Sequence, residues 1–520
     1  MNLFLLSQSG SVRMFYRLQE ELRRELPIEQ VGLFVAYLRA FDQFRDERPD
    51  IEDGRVQLVK EWEIVQRARN RAPDRERLAA LERRLGVPSL WPAIVADRRL
   101  SMGPDAALRQ DYDSRYTHDQ LLSILEETAS ALERAFDEVR PDAVISFLAV
   151  TAGEYLSYLI CRARGIPFLN LRPTRIRNLV TYGESVYEPS AHVAATFRRF
   201  VEQGIPADLR EKAARHLAAV RSSEARYEGV VPPSRKVAGS RLRLSKAGQQ
   251  LARLAREEYA HYARGYGDDH YAQHWLSTRL ANKVEAPLRA RRMHGAVGRD
   301  YVTRATLGSV PYVFYPMHKE PEVTLLVYSR PYRNQIEVVR RVAESVPVGL
   351  DVLVKEHPAA VGRRPVSYYR KLLAIPNVRL ADPALDSRVL IAASAAVATV
   401  AGSIGLEALF QGRPVLTFGL TPYQILPPTM TRRVIDPDST ASTLRALLDE
   451  FHVDDGALLA YVAATMAESA GVNLYSGLLG RAEVYRPPSD GTTGADPFDT
   501  ELQKLVSYTA RVLRARQETR

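Results

Sequence analysis

Short apolar runs that stop abruptly at polar, glycine or proline residues characterise the chain between residues 311 and 419. The runs read VPYVFYP, GLDVLVK, NVRLAD, AAVATV and PVLTFG, and helical stretches are predicted around residues 333–346, 366–374, 385–393 and 404–411. Uniformly apolar strands that alternate with helices are typical of a parallel sheet buried on both faces. This part of the chain therefore predicts a doubly wound α/β domain, whose ligands bind beyond the carboxyl ends of the strands.

The first 200 residues predict a second α/β unit with many additional helices. LFLL near the N-terminus is a predicted strand, and residues 14–48 and 52–86 are predicted charged amphipathic helices. Another helix is predicted from Thr117 to Arg140. The segment from Pro141 to Pro173 then predicts a strand, a glycine-containing turn, a helix and a strand, which together form a βαβ unit.

These patterns divide the 520 residues into four predicted parts. An N-terminal Rossmann-like domain covers residues 1–200, and a helical insertion or connection covers residues 201–305. A C-terminal Rossmann-like domain covers residues 306–485, and a linker with a C-terminal helix covers residues 486–520. That last helix is basic and amphipathic, and it either packs back on the first domain or lies on a surface.

The composition favours anionic partners and a reducing compartment. The chain carries 72 basic and 62 acidic residues, for a net charge of +10. Cys161 is the only cysteine, which excludes an intrachain disulfide and a thiolate metal cluster. The start MNLFLLSQSG resembles neither a signal peptide nor a membrane span. The prediction is a cytoplasmic protein, with peripheral contact at the inner face of the cell membrane left open.

Two strand-end motifs of the C-terminal domain predict binding of a phosphorylated ligand. VKEHP supplies the charge of Lys355, the neighbouring Glu356 and the ring nitrogens of His357, and Pro358 fixes the chain direction after the strand. AGSIGLEAL opens a helix whose N-terminus favours an anion. In this second motif, Gly402 and Gly405 allow close backbone approach, Ser403 is a predicted helix cap, and Glu407 lies one turn later, within reach of ribose hydroxyls. Neither motif is a GxGxxG fingerprint or a P-loop.

The third motif, YPMHKEPEVT, places His318, Glu320 and Glu322 just after a strand. Its carboxylates could orient a sugar or transfer a proton, although a polar loop shaped by prolines is an alternative reading. Arg330 follows as a candidate anion contact. No metal is predicted, and no basic motif interleaved with aromatic residues indicates nucleic acid.

The N-terminal domain contributes further candidates at two strand ends. Glu154 begins a helix after a strand, where it is either a catalytic acid or a favourable helix-start residue. Arg172 and Arg175 follow the next strand and are candidates for binding an anionic donor or acceptor.

Two weaker features complete the search for sites. The histidines and aspartates of residues 268–275 have metal-ligand spacing, but a solvated helix face explains them better because no third ligand clusters with them. The basic run at residues 234–256 is either a solvent-exposed helix or one that touches anionic lipid.

In order and spacing, the three C-terminal motifs resemble bacterial capsule and surface-polysaccharide biosynthesis proteins, which include Kdo transferases of GT-B type. The matching segments are Pro316–His318, Lys355–Pro358, Ser403–Gly405, Glu407–Leu409 and Gly412–Val415. The resemblance implies a GT-B-like fold, in which two Rossmann-like domains face a cleft and the C-terminal domain holds a nucleotide-sugar donor. It further implies that His357 and Ser403 contact the donor phosphate, and that Glu407 contacts the nucleotide or supports its loop.

The resemblance predicts a glycosyltransferase that uses a nucleotide sugar, with CMP-Kdo as a candidate donor, and a glycan or glycolipid acceptor. Its donor is a substrate, and neither a separate cofactor nor a metal is predicted. The loop LTPYQILPPTM departs from the Kdo transferases and leaves the sugar open. Three alternatives are a nucleotide-sugar 2-epimerase, a polyol-phosphate transferase, and a non-catalytic subunit of glycan assembly.

Overall fold

The computed structural model describes most of the chain. The described residues are 1–222, 252–266, 284–308, 311–481 and 496–518, apart from residues 9, 104, 107–109, 111, 188–189, 253–254, 257 and 260. The predicted features at residues 268–275 and 234–251 lie outside this part, so both stay predictions. In the described ranges, no helix combines the length and the apolar character needed to cross a membrane.

The N-terminal sheet is built around β1 and has the order β3-β2-β1-β4-β5-β6-β14. Strands β1 to β5 are parallel, whereas β6 and β14 run antiparallel to their neighbours. The strands are β1 (Leu3–Ser7), β2 (Val31–Val35), β3 (Gln57–Lys60), β4 (Ala143–Phe147), β5 (Phe168–Pro173), β6 (Leu179–Gly183) and β14 (Ala470–Gly471).

The C-terminal sheet is parallel throughout its described strands and has the order β7-β10-β9-β8-β11-β12-β13. Its central strands are almost completely buried, which explains their uniformly apolar sequences. The strands are β7 (Tyr301–Val302), β8 (Tyr312–Pro316), β9 (Asp351–Lys355), β10 (Val378–Ala381), β11 (Ala396–Thr399), β12 (Val415–Thr417) and β13 (Thr431–Arg433).

Helices cover these sheets and connect their strands. In chain order the described α-helices are α1 (Val12–Glu25), α2 (Leu38–Glu47), α3 (Glu61–Ala68), α4 (Arg75–Leu85), α5 (Trp91–Ala96), α6 (Arg98–Ser101), α7 (His118–Val139), α8 (Ala152–Arg164), α9 (Ala191–Gln203), α10 (Ala207–Arg221), α11 (Ala286–Val297), α12 (Gln335–Ser345), α13 (Val366–Leu373), α14 (Ser387–Ala393), α15 (Ile404–Phe410), α16 (Thr440–Glu450), α17 (Asp455–Ala467) and α18 (Pro497–Glu518).

The predicted fold class is confirmed, because the two parallel-rich sheets each lie within helical layers. The predicted βαβ unit is β4–α8–β5, and the predicted helix at 117–140 is α7, which begins with a capping box at Thr117. The continuous helices predicted at 14–48 and 52–86 are wrong. The first range contains α1, β2 and α2, and the second contains β3, α3 and α4. Short strands between charged helices lose their signal in long helical windows.

The two sheets are joined by chain segments that leave one unit to pack on the other. Helices α9 and α10 follow the N-terminal sheet but share a core with α17 and the C-terminal strands. After α17 the chain returns to the first sheet as β14, and α18 packs on α1. The C-terminal helix therefore packs back on the first domain, the first of its two predicted placements.

Candidate functional site

The C-terminal sheet reverses its strand order between β8 and β11. From β8 the chain adds β9 and β10 on one side, and then β11, β12 and β13 on the other. Such a switch point opens a crevice at the carboxyl ends of the two strands. At this point His318 Nε2 lies 3.3 Å from Thr399 Oγ1, and the Gly402 N–H donates to the same hydroxyl over 3.3 Å. His318, Thr399 and the Gly402 turn therefore lie together at the switch point.

The position of His318 is fixed by Gln335, the first residue of α12. Gln335 Oε1 accepts from the His318 N–H over 2.6 Å, and Gln335 Nε2 donates to the His318 carbonyl over 3.1 Å. Both residues are buried. A Cβ at Gly402 would lie 3.0 Å from His318 Cε1, so the glycine lets this turn approach the imidazole.

Glu322 lies where the two domains face each other. Its Oε2 is 3.6 Å from His318 Nδ1, and 41% of its side chain is exposed. Burial raises the pKa of Glu322, but contact with His318 and the positive charges of His318, His357 and Arg175 outweigh burial and lower the pKa below 4.5. Because Arg175 belongs to the N-terminal domain, Glu322 is a carboxylate of the cleft and stays ionised at neutral pH.

His357 presents a hydrogen-bond donor at the end of β9. Its Nδ1 accepts from the Ala359 N–H over 3.1 Å, so in the neutral ring the proton resides on Nε2. The ring is half-buried. The motif residue Pro358 begins a short 3₁₀ turn that sets this hydrogen bond. In this tautomer Nε2 is the donor of the ring, and the contact of His357 with a phosphate stays a prediction.

Arg364 joins the loops that carry the two histidines. Its guanidinium donates to Glu356 Oε1 and, over 2.6 Å, to the carbonyl of His318, and it lies 3.2 Å from Glu320 Oε1. Tyr369 donates to the second oxygen of Glu356 over 2.6 Å. Glu356 is 4% exposed. Both carboxylate oxygens of Glu356 bond to buried residues. Glu356 therefore supports the loops beneath the site instead of making its predicted contact with the donor.

Lys355 is also turned away from the crevice. Its Nζ donates to Ser387 Oγ over 3.0 Å, at the start of α14, and the residue is 4% exposed. Burial lowers the pKa of Lys355, although the charges of Asp386 and Asp382 oppose this change. Lys355 connects the loop that follows β9 to the loop that follows β10. Its charge therefore acts on the site from behind the strand ends.

Helix α15 follows the Gly402 turn, and its first residues differ in exposure. Ser403 is exposed and occupies the predicted N-cap position, but its side chain makes no capping hydrogen bond. The reason is its helical backbone conformation, with φ −62° and ψ −21°, whereas capping residues adopt extended angles. The hydroxyl of Ser403 consequently faces solvent at the crevice, and Glu407 is half-buried one turn further on.

Gly405 allows α15 to pack on Tyr423, and we expect Gly405→Ala to destabilise the protein by about 1–3 kcal/mol. A Cβ at this position would lie 2.2 Å from Tyr423 Oη, which donates to the Gly402 carbonyl over 2.8 Å. Denaturant unfolding measures the effect. The matched control is Gly295→Ala in α11, where a Cβ would meet no neighbour within 4 Å. Equal stability of the two variants would contradict this packing.

The arginines of the cleft have different surroundings. Arg172 donates to the Ser185 carbonyl and lies over the Tyr328 ring, with its Cζ 5.3 Å from the centroid. Arg175 has φ +65°, an unusual conformation for a non-glycine residue, and its charge acts on Glu322. Arg330 donates to Tyr155 over 2.8 Å and to Tyr187 over 3.2 Å. The charge of Arg175 thus acts on a residue of the C-terminal domain, whereas Arg330 joins the two domains through hydrogen bonds.

Glu154 is fully buried within the first domain. It forms a capping box with Thr151, and its Oε2 accepts from the backbone N–H groups of Val150 and Thr151 over 2.8 and 3.1 Å. Burial raises the pKa of Glu154 despite these hydrogen bonds. The sequence left two roles open for Glu154, a catalytic acid or a favourable helix-start residue. The helix-start role matches this geometry, because the buried carboxylate does not reach the cleft.

Sequence reasoning missed Arg364, Gln335 and Thr399. In the sequence, Arg364 follows another arginine and Gln335 lies at the polar start of α12, so both look like surface residues. Only the sheet topology places them beneath the site. Within the described parts of the chain, no group of three or more His, Cys, Asp or Glu side chains is arranged to hold a metal ion. Metal independence stays a prediction.

Residues 244–436 match the family model described as "Capsule polysaccharide biosynthesis protein". The predicted resemblance to capsule polysaccharide biosynthesis proteins is confirmed. The matched stretch contains the three strand-end motifs, with His318, His357 and the Gly402 turn. No curated protein matches the chain.

Three solved structures illustrate what the chain is similar to. KpsC beta Kdo 2,4 transferase from Thermosulfurimonas dismutans is 14% identical over 64% of this chain and 82% of its own, with a TM-score of 0.34. The beta Kdo 2,7 transferase of the same KpsC is 12% identical over 73% and 89%, with a TM-score of 0.35. UDP-GlcNAc 2-epimerase from Neisseria meningitidis is 12% identical over 90% and 99%, with a TM-score of 0.26.

Proposed function

We propose that the protein is a glycosyltransferase that moves a sugar from a nucleotide-activated donor to a capsule or surface-polysaccharide acceptor, or to a glycolipid. One observation supports the proposal most: the switch point lies inside the family-matched stretch, and the charge of Arg175 from the facing domain acts on Glu322 beside His318. Nucleotides bind at such crevices in doubly wound sheets, and a second domain supplies the space for an acceptor.

The leaving phosphate would be stabilised by groups from two strand ends. His357 Nε2 donates from the end of β9, and Ser403 presents its hydroxyl beside the Gly402 turn. Donors that are fixed before the reaction stabilise negative charge effectively as it develops on a leaving group. Lys355 would add its charge from behind the site rather than by direct contact, since its ammonium bonds to Ser387.

Glu322 would act as the general base or the nucleophile. Its lowered pKa keeps it ionised, as either role requires at neutral pH. His318 would position it, with Nδ1 3.6 Å from Glu322 Oε2 and Nε2 3.3 Å from the Thr399 hydroxyl, which accepts from the Gly402 N–H. This series of contacts links Glu322, the proposed base, to the Gly402 turn that would face the donor phosphate.

The acceptor would approach from the N-terminal domain, with Arg175 as the candidate contact for an anionic group of the donor or acceptor. The donor proposed first is CMP-Kdo, because the three motifs resemble the Kdo transferases. In this proposal the phosphate and carboxylate of such a donor are bound by His357, the Gly402–Ser403 turn and Arg175. Protein groups then stabilise the negative charge of the donor without a metal ion.

Nucleotide binding tests the donor site directly. We expect the protein to bind CMP or another nucleotide of a CMP, CDP, UDP and GDP panel in isothermal titration calorimetry. His357→Ala is expected to weaken that binding about 10- to 100-fold, because one hydrogen bond to a charged oxygen is lost. The control is His452→Ala, which removes an exposed histidine between α16 and α17. This donor site would be contradicted if the wild-type protein bound none of these nucleotides. Equal affinity of His357→Ala and His452→Ala for the nucleotide would also contradict it.

A further inference from the structure

The chain that follows Glu322 crosses to the N-terminal domain in a single turn of π-helix. We call this turn, Thr324–Tyr328, the bridging turn, and four of its five residues are buried. Short π-helical turns are rare and frequently lie at functional sites. Strand β8, which precedes Glu322, is central in the C-terminal sheet, whereas the bridging turn packs against α5 of the N-terminal domain. The crossing therefore takes place within a few residues of the proposed base.

The buried side chains of the bridging turn insert into both hydrophobic cores. Leu325 packs in the core of the C-terminal sheet. Leu326 and Val327 pack instead in the core of the N-terminal domain, which also contains Ile94 of α5. Withdrawing such side chains from a core is unfavourable, because it exposes apolar surface to water. Two side chains therefore anchor the bridging turn in the N-terminal domain.

Contacts at the end of the bridging turn hold it to the same domain. The Cζ atom of Arg172, which follows the N-terminal sheet strand β5, lies 5.3 Å from the centroid of the Tyr328 ring. Two residues further on, Arg330 donates to Tyr155 over 2.8 Å and to Tyr187 over 3.2 Å. The N-terminal domain thus holds this part of the chain by apolar and by polar contacts.

Glu322 is bonded directly to the anchored turn. Its carbonyl accepts from the N–H groups of Leu325 and Leu326, each over 3.0 Å. Its carboxylate lies on the other side, with Oε2 3.6 Å from Nδ1 of His318. The backbone of Glu322 is therefore held by a turn that is anchored in the N-terminal core, while its side chain lies beside a histidine of the C-terminal domain. A shift of Leu326 would move Glu322, because the two residues share a hydrogen bond.

We propose that Leu326 and Val327 are positioning residues that hold Glu322 in place from the core of the N-terminal domain. The proposed donor contacts, His357 and the Gly402 turn, lie at the strand ends of the C-terminal sheet. The base and the donor contacts are then held by different domains, and the packing of the bridging turn aligns one with the other. The effect on transfer rests on the proposed function of the protein, whereas the anchoring is independent of it.

Hydrogen–deuterium exchange of the full-length protein tests the anchoring without any substrate. Ile94→Ala truncates a side chain of the N-terminal core, and Leu447→Ala truncates one of the C-terminal core. Relative to peptides of β9, we expect Ile94→Ala to speed exchange in residues 323–330 about tenfold, and Leu447→Ala to change it less than about threefold. Ile94→Val, a milder truncation, replaces Ile94→Ala if that variant does not fold. An equal or larger effect of Leu447→Ala would overturn the anchoring.

Transfer kinetics test the positioning of Glu322. Leu326→Ala is expected to lower kcat about 10- to 100-fold, the cost of a small misplacement of a reacting group, and to leave the nucleotide affinity within a few-fold of wild type. Leu326→Met nearly conserves the volume and should restore most of kcat. Leu447→Ala is the matched control, because it also creates a cavity at a buried leucine but should leave kcat unchanged. Val327→Ala provides the same test with a smaller truncation.

The outcomes separate the positioning role from the enzymatic proposal. Unchanged kcat in Leu326→Ala and Val327→Ala, or an equal loss in Leu447→Ala, would overturn the positioning role and leave the transferase proposal intact. Faster exchange of the bridging turn in Ile94→Ala, in a protein that transfers no sugar from any donor, would support the anchoring and overturn the transferase proposal.

Discussion

Glu322→Gln is expected to lower kcat for sugar transfer about 10²- to 10⁴-fold, the usual contribution of a positioned acid–base residue. The amide keeps the size of the carboxylate but cannot accept a proton or attack the sugar. Since the proposed donor contacts come from His357 and the Gly402 turn, the affinity for the nucleotide should stay within a few-fold of wild type. Steady-state transfer kinetics and calorimetry on the same preparation measure the two effects.

Two comparisons make this prediction specific to Glu322. Glu337→Gln removes an exposed carboxylate from α12, where it pairs with Arg340, and should leave kcat unchanged. The lowered pKa of Glu322 also sets the pH at which it becomes protonated. Because its pKa is lowered, Glu322 becomes protonated at a lower pH than an ordinary glutamate does. An acid limb of kcat well above pH 4.5, or full activity of Glu322→Gln, would identify a different base.

Arg364→Met is expected to produce the largest loss of stability, about 3–5 kcal/mol, because it leaves buried carboxylates without their partner. Burial lowers the pKa of Arg364, but the charges of Glu356 and Glu320 outweigh burial and raise the pKa above its ordinary value. The substitution also removes the donor to the His318 carbonyl. Guanidinium denaturation of the full-length chain measures the loss.

The control for this experiment is a surface arginine. Arg445→Met breaks an ion pair with Asp449 in which both side chains are 63% exposed, and such pairs contribute at most about 1 kcal/mol. If Arg364→Met were no less stable than Arg445→Met, the buried network would not hold the site loops as described. A stable Arg364→Met protein with reduced nucleotide affinity would instead indicate direct contact with the donor.

The C-terminal domain was predictable because its strands are buried on both faces. Uniform apolar runs identify such strands without reference to their neighbours, and the motifs at their ends identify the sheet edge. His318, His357 and the Gly402 turn follow directly from that pattern. The strands β2 and β3 were not recovered, because each is only four or five residues long and lies between charged helices.

The roles of buried charged residues could not be predicted from the sequence. Glu356 and His357 are adjacent in VKEHP, yet Glu356 points beneath the site to Arg364 and Tyr369 while His357 presents a donor at the edge. Alternation along an extended chain sends neighbouring side chains to opposite faces, but which face is buried depends on the rest of the fold. Likewise, the contacts of Glu320 with Tyr112 and Gln110 join residues that are more than 200 positions apart.

Nucleotide release from a panel of activated donors is the most direct test of the central claim. The donors would be CMP-Kdo, CMP-sialic acid, and UDP-, GDP- and CDP-linked sugars or polyols, each incubated with and without membrane extract as the acceptor source. We predict that one sugar donor releases its nucleotide only when acceptor is present, and that His357→Ala loses this release. Isomerisation of a UDP-sugar without acceptor, turnover of a CDP-polyol alone, or no reaction with any donor would contradict a glycosyltransferase.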